Sequence, residues 1–227
     1  MKVTVLSSGG VDSTTCLAEA VAEVGAENVI ALSIYYGQKH DRELASAREI
    51  ASYYGVRHIE ADLIEIFRDS TSSLLAHADA EIPHASYGEQ VGTHDGGPVS
   101  TYVPFRNGLF LSAAASIALG NGCERLVYGA HADDAAGSAY PDCSEAFVAA
   151  MGTAIREGSG GMLTLDAPYV RLHKKDIVAK GLALHAPYHL TWSCYEGGDA
   201  PCGACGTCID RMRAFEANGA RDPLSRY

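Results

Sequence analysis

Eight consecutive residues, Ser7-Ser8-Gly9-Gly10-Val11-Asp12-Ser13-Thr14, have the composition of an oxyanion cradle. They follow a short apolar run, Val3 to Leu6, and precede a helical pattern. A strand that turns through two glycines into a helix presents unpartnered first-turn N–H groups and the positive end of the helix dipole. The glycines let the backbone approach a phosphate closely. Ser8, Ser13 and Thr14 add hydroxyl donors. Asp12 is acidic and a poor phosphate contact, so it reads as a helix-start residue or as a partner for Mg2+ bound to the phosphates. No Lys follows the glycines, so the string is not a Walker loop. The cation that meets the phosphate charge must come from elsewhere in the chain. A bare strand-to-helix turn explains two glycines, but not four small hydroxyl residues around them.

A second constellation lies near the C-terminus. Cys194, Cys202, Cys205 and Cys208 are spaced C-x7-C-x2-C-x2-C, with Gly203 and Gly206 allowing tight turns between them. Four thiolates at such spacing close a tetrahedron around Zn2+ and leave no open position, which makes the metal structural. An iron–sulfur cluster is the competing occupant, because it also takes four thiolates. The expectation is a zinc segment over residues 191–220 that pins the tail onto the body of the protein without touching the chemistry. Cys16, Cys123 and Cys143 lack metal spacing, and the first two read as small buried hydrophobes.

These residues need a scaffold. Val3–Leu6, Val29–Tyr35 and Val56–Ala61 read as strands, separated by helical patterns carrying Leu17, Val21 and Val24 and then Leu44, Ala47, Ile50 and Ala51. That order predicts an α/β fold with a doubly wound parallel sheet, which binds ligands at the carboxyl ends of its strands. Further along, a strongly apolar helix spans Phe105 to Leu119, and a strand runs from Leu126 to Tyr128. A helix is expected at Ser144–Glu157, a strand at Met162–Ala167 and a helix at Lys174–His185. His77 to Thr101 is rich in Gly and Pro and reads as a long loop or lid. Its His77, His84 and His94 have no regular short spacing and read as solvated loop histidines. One α/β domain over residues 1–227 is the expected organisation.

Composition narrows the partners. The chain has 227 residues, 47% hydrophobic and 20% charged, with a formal net charge of −11. An acidic balance disfavours broad binding to nucleic acid or anionic membrane. The longest uncharged stretch, Asn107 to Cys123, holds Asn, Ser and Gly and falls short of a membrane span. The N-terminal apolar stretch is too short for a signal peptide, so a cytoplasmic location is expected.

The string Ser-Gly-Gly-Val-Asp-Ser-Thr resembles the PP-loop of the ATP pyrophosphatase superfamily. Within it, the chain is similar over nearly its whole length to the QueC family of 7-cyano-7-deazaguanine synthases. The likeness is carried by Ser7 to Leu17 and by Tyr36-Gly37-Gln38 with His40 and Glu43. It continues in Thr101 to Asn107, Tyr140-Pro141-Asp142-Cys143, Pro168 followed by Lys174, and Thr191-Trp192-Ser193-Cys194 leading into the other three cysteines.

The resemblance implies a carbon–nitrogen ligase that converts 7-carboxy-7-deazaguanine, ammonia and ATP into the nitrile of the queuosine pathway. A carboxylate is a poor electrophile, because oxide would have to leave. Transfer of a nucleotidyl or phosphoryl group makes that oxygen a leaving group, ammonia gives the amide, and a second activation gives the nitrile.

The resemblance further implies roles for single residues. Ser7, Ser8, Gly9, Gly10, Val11, Asp12, Ser13, Thr14, Thr15, Cys16 and Leu17 form the nucleotide segment. Arg106 and Lys174 supply the missing cations, and Asp12 or Asp133 helps place Mg2+. Tyr140 and Asp142 would read the deazaguanine ring by stacking and by accepting N–H donors, with Gln38 and His40 on the same rim. Asp142 reads equally well as a turn or N-cap residue. His40 or His131 is the candidate base for ammonia. A homodimer is the implied assembly.

One position departs from the family pattern: Phe105 stands where Gly is usual. Two other classes stay open at this point. One is a PP-loop relative that amidates or thiolates another acid or a tRNA base. The other is a non-catalytic nucleotide-binding module.

Overall fold

The computed structural model describes residues 1–86, 89–90, 99–136 and 139–225. Five parallel strands form the sheet: β1 (Val3–Leu6), β2 (Val29–Tyr35), β3 (Arg57–Asp62), β4 (Arg125–Val127) and β5 (Thr164–Asp166), in the order β3-β2-β1-β4-β5. Chain order reverses beside β1, so a crevice opens between the carboxyl ends of β1 and β4.

The α-helices among the described residues are α1 (Val11–Val24), α2 (Arg42–Tyr54), α3 (Arg106–Gly120), α4 (Ala132–Ala135), α5 (Glu145–Gly158), α6 (Lys174–Ala183) and α7 (Gly206–Ala217). Strand alternation sends Val3, Val5 and Ala31 to one face of the sheet. There they pack with Leu17 and Ala20 of α1, Ile50 of α2 and Ile177 of α6. Ile30, Leu32 and Leu126 face the other way, onto Leu111, Ala114 and Ala118 of α3 and Ile155 of α5. Both faces are covered, which is why the central strand β2 reads as a nearly continuous apolar run, while β3 at the sheet edge is polar and partly exposed.

β1 and β2 fall on the expected residues, and the other elements with expected bounds shift by no more than two residues at either end. Phe105 is not in its helix but just before it, at φ 54°. Ser144 is likewise outside α5, whose start it caps by accepting the Phe147 N–H at 3.2 Å. Two helices were not expected. The short α4 lies in what reads as a strand-end loop. The longer α7 lies within the cysteine segment, where polar residues interrupt the apolar stripe.

Helix α7 is fastened by Arg211, which is 3% exposed. Its guanidinium donates to Asp222 at 2.8 and 2.9 Å, to Thr191 Oγ1 at 2.8 Å and to the Tyr188 carbonyl at 3.2 Å. Val11, Val178, Tyr188, Ala214 and Phe215 form a small apolar cluster that joins α1, α6 and α7. In the stretch read as a lid, His77 meets the Ser70 carbonyl and His84 meets Glu196, each at 2.8 Å. His94 lies outside the described residues, as do Gly88, Gly92, Gly96, Gly97 and Pro98.

Candidate active site

The crevice between β1 and β4 is an open cleft walled by the β1–α1 turn, the ends of β2 and β4, the starts of α2, α3 and α6, and the cysteine segment. The turn is built for close approach. Gly9 has φ 85°, and a Cβ there would lie 2.2 Å from the Glu43 carbonyl of α2. No residue but Gly fits both demands. Gly10 is the N-cap of α1 and brings no side chain to bond the first-turn N–H groups, which stay open toward the cleft. Ser13 Oγ accepts the Ser8 N–H at 3.2 Å and donates to the Gly10 carbonyl at 3.2 Å, which sets the shape of the turn.

Of the segment Ser7 to Leu17, the cleft is lined by Ser7, Ser8, Gly10, Val11, Asp12 and Ser13. Gly9 faces α2 instead. Thr14 turns its hydroxyl back to the Gly10 carbonyl at 2.7 Å, and Thr15 bonds Tyr188 Oη at 2.8 Å. Cys16 and Leu17 belong to the hydrophobic core. Helical periodicity explains the division: after one turn the segment has rotated its side chains into the protein.

Two separate groups of charge line the cleft. The first surrounds Lys174, the first residue of α6. Its Nζ lies 2.5 Å from Asp12 Oδ2 and 3.3 Å from His131 Nε2. Burial works against the Lys174 charge, but Asp12 and Asp134 outweigh it and hold the ammonium above its ordinary range. Burial would likewise raise Asp12, and Lys174 and His131 outweigh it and keep the carboxylate low. Asp12 Oδ1 is buried without a hydrogen-bond partner. Asp134, 3.3 Å from His131, and Asp210 complete this side. Asp133 does not line the cleft. Its two oxygens take His173 Nδ1 at 2.7 Å and the Lys174 N–H at 2.8 Å, so it fixes the start of α6 and thereby aims Lys174.

The second group surrounds Arg106, the first residue of α3. Its guanidinium lies 5.3 Å from the Tyr36 ring and 5.8 Å from the Phe110 ring, and Nη1 donates to Tyr36 Oη at 3.2 Å. Gln38 and Glu43 share this wall. Burial pushes the Glu43 carboxyl up to about 7, against the pull of Arg106. Gln38 uses its Oε1 to accept the Tyr36 N–H at 3.0 Å.

Other predicted residues lie elsewhere. Tyr140 is buried behind the cleft, its hydroxyl 2.6 Å from Thr101 Oγ1. Asp142 accepts the Asn107 N–H at 2.9 Å. It thus ties down the first turn of α3, not of the helix that follows it in sequence. Burial raises its carboxyl despite that bond and the nearby Arg106. His40 packs against Gly197 at the edge of the cysteine segment, and burial lowers its pKa. His131 is 2% exposed and held behind Lys174.

The four cysteine sulfurs lie within 4.8 Å of one another, close enough to hold one metal ion. N–H groups of Cys202, Ala204 and Cys205 point at these sulfurs over 3.3 to 3.4 Å, as suits thiolates. The segment does more than fasten a tail. The Trp192 N–H donates to the Gly9 carbonyl at 2.9 Å, and Trp192, Ser193, Tyr195 and Thr207 form one wall of the cleft. Spacing alone reports metal ligands and carries no sign of this wall.

Fold and site together define an α/β protein with a phosphate-type loop at its sheet reversal. The same architecture occurs in the U34-tRNA thiolase NcsA from Methanococcus maripaludis, solved with its [4Fe-4S] cluster. The TM-score is 0.51 at 15% identity, over 96% of this chain and 65% of that one, a likeness of fold alone. The family follows from sequence: residues 2–219 match the model for queuosine biosynthesis protein QueC, and the chain belongs to that family. It is 44% identical to the 7-cyano-7-deazaguanine synthase of Archaeoglobus fulgidus, covering 99% of this chain and 90% of that protein. Identity to the synthase of Oceanobacillus iheyensis is 40%, covering 98% and 97%. To that of Methanoregula boonei it is 42%, covering 99% and 98%.

Proposed function

We propose that this protein makes 7-cyano-7-deazaguanine from 7-carboxy-7-deazaguanine, ammonia and ATP, as a carbon–nitrogen ligase acting twice on one carbon. The single observation that carries the reading is the uncapped start of α1 between two cations, Lys174 and Arg106, at the reversal of the sheet. A nucleoside triphosphate and a carboxylic acid are both anions, and the cleft offers each a pole. The phosphates bind the Ser8–Ser13 turn and Lys174. Mg2+ arrives with ATP, and Asp12, Asp134 and Asp210 are the carboxylates that would hold it. Arg106 faces the acid and brings its oxygen to the phosphorus under attack. The nucleotidyl or phosphoryl group then leaves with that oxygen when nitrogen adds.

The tail cysteines hold Zn2+ in this reading. Tetrahedral zinc–thiolate bonds of ~2.3 Å place sulfurs roughly 4 Å apart, which suits a cage within 4.8 Å. A cubane puts four irons among its ligand sulfurs and needs a wider cage. The ion keeps Trp192 and its neighbours against the Gly9 turn. The whole chain works as one domain, in the cytoplasm and as a homodimer, and its acidic balance suits free small molecules.

The test is direct. Purified protein with ATP, Mg2+, ammonium and 7-carboxy-7-deazaguanine is expected to yield the nitrile by mass spectrometry. Labelled RNA without free nitrile would replace this reading with tRNA modification. Nucleotide binding without turnover would reduce the protein to a binding module.

A further inference from the structure

Resting on the reaction just proposed, we infer that Glu43 is the proton acceptor for the entering nitrogen. Chemistry demands such a group. Nitrogen enters as ammonia and ends in a nitrile, so it must shed three protons in the cleft. In the first step its lone pair forms the C–N bond. The C–O bond to the activating phosphorus group breaks, with its electron pair leaving on that oxygen, and one N–H proton departs. In the second step the amide oxygen is activated, the C–O bond breaks in the same sense, and the last two protons depart as the triple bond forms. A residue that takes each proton and passes it to water serves both steps.

Geometry separates Glu43 from the other titratable groups. It lies on the cleft wall, on the first turn of α2. Among the described residues no group hydrogen-bonds its carboxylate, which leaves its lone pairs toward the cleft. Asp12 is taken by Lys174, and Asp134 by His131. Asp210 lies in the Lys174 group, on the phosphate side. His131 is screened by Lys174, and His40 sits against Gly197, off the cleft lining. Arg106 of α3 is the charge that faces Glu43, and around Arg106 stand Tyr36, Tyr195, Asp142 and Cys143.

Its acidity suits the task. A carboxyl raised to about 7 is half ionised near neutral pH and releases a captured proton readily. An ordinary carboxylate is too weak a base for a nitrogen proton. The same Arg106 that faces the acid thus sits beside the group that handles its incoming partner.

Glu43→Gln keeps the shape and removes the base. At pH 7 its kcat for nitrile formation is expected to fall about 100-fold, with KM for the acid changed by less than about threefold. The wild-type rise of rate through pH 7 should vanish from its profile. Near about pH 9.5, where solution supplies free ammonia and hydroxide, the gap to wild type should shrink to less than about tenfold. Single-turnover ATP cleavage with the acid and no ammonium should persist. A gap that stays constant with pH, or a raised KM with kcat intact, would overturn the assignment. Failure of the wild-type protein itself to give nitrile at any pH would instead sink the underlying reading.

Discussion

The two charged sides of the cleft are assembled in opposite ways. The phosphate side is mostly one stretch of chain: Ser8 to Ser13 supply the amides, and Lys174 is brought in by a helix whose first N–H is fixed on Asp133. The opposite side is gathered from four places: Tyr36 and Gln38 after β2, Glu43 at the start of α2, Arg106 at the start of α3 and Tyr195 in the cysteine segment. On the proposed reading, one side binds through backbone that any nucleotide enzyme could share. The other would hold the side chains that select an acid and move protons. Strength of binding and identity of reaction therefore depend on different mutations.

The largest effect is expected on the phosphate side. Lys174→Ala should lower nitrile formation at least about 100-fold by removing a fixed cation from the charge that develops in transfer. Asp12→Ala should do the same, and each should also cost about 2 to 3 kcal/mol in urea unfolding, because the surviving partner stays largely buried without its nearest countercharge. The double variant should lose less stability than the two singles together, as measured in a mutant cycle. Simple additivity would mean that the 2.5 Å contact is not an energetic unit.

Next comes the link between the sides. Cys205→Ser should empty the metal site and weaken ATP binding together, since the wall that carries Trp192 also holds the Gly9 carbonyl. Metal analysis alongside calorimetry with a non-hydrolysable ATP analogue reads both. Metal-free protein that still binds the analogue at wild-type affinity would reduce the cysteine segment to a remote staple.

How much of this was legible follows the same division. The Gly-Gly turn, the cysteine spacing and the strand–helix alternation are local patterns, and each reports itself in sequence. The opposite side has no local pattern, and Glu43 and Arg106 become neighbours only when β2, α2 and α3 pack. Asp142 illustrates the limit. Its position before Ser144 points to a cap for the next helix, yet it binds the Asn107 N–H of α3. Helix α7 was hidden because its buried Arg211 looks like a surface residue until Asp222 and the Tyr188 carbonyl are placed around it.

A smaller effect separates cost from use at Glu43. Its folded pKa is raised, so the folded chain binds more protons than the unfolded one between the ordinary carboxyl range and about 7. Stability from this group is therefore lost as pH rises through that window, up to about 3 kcal/mol above it. Glu43→Gln should be more stable than wild type at pH 8, and the difference should close as pH falls below about 5, by urea titration at each pH. A stabilised but slow variant is the signature of a charge kept for chemistry. Equal stability across the range would place the carboxylate in ordinary solvent.

The smallest effect concerns the approach to Arg106. Phe105 holds φ 54°, a conformation that favours Gly, and its 59% exposed ring lies over Gly108 and edge-on to Phe147 at 5.9 Å. A Cβ at Gly108 would fall 2.4 Å from that ring. Gly108→Ala alone should destabilise by about 1 kcal/mol, because the ring must swing off both its contacts. Phe105→Gly alone should be nearly neutral, the relieved left-handed strain offsetting the lost ring contact and the freer unfolded chain. In the Phe105→Gly background the same Gly108→Ala change should stabilise by about 1 kcal/mol, since only helix propensity is left to act. A reversal of sign, read by thermal unfolding of the four proteins, would show that the bulky residue and the bare helix turn are adapted to each other. If Gly108→Ala has the same effect in both backgrounds, the ring does not rest on Gly108 in solution.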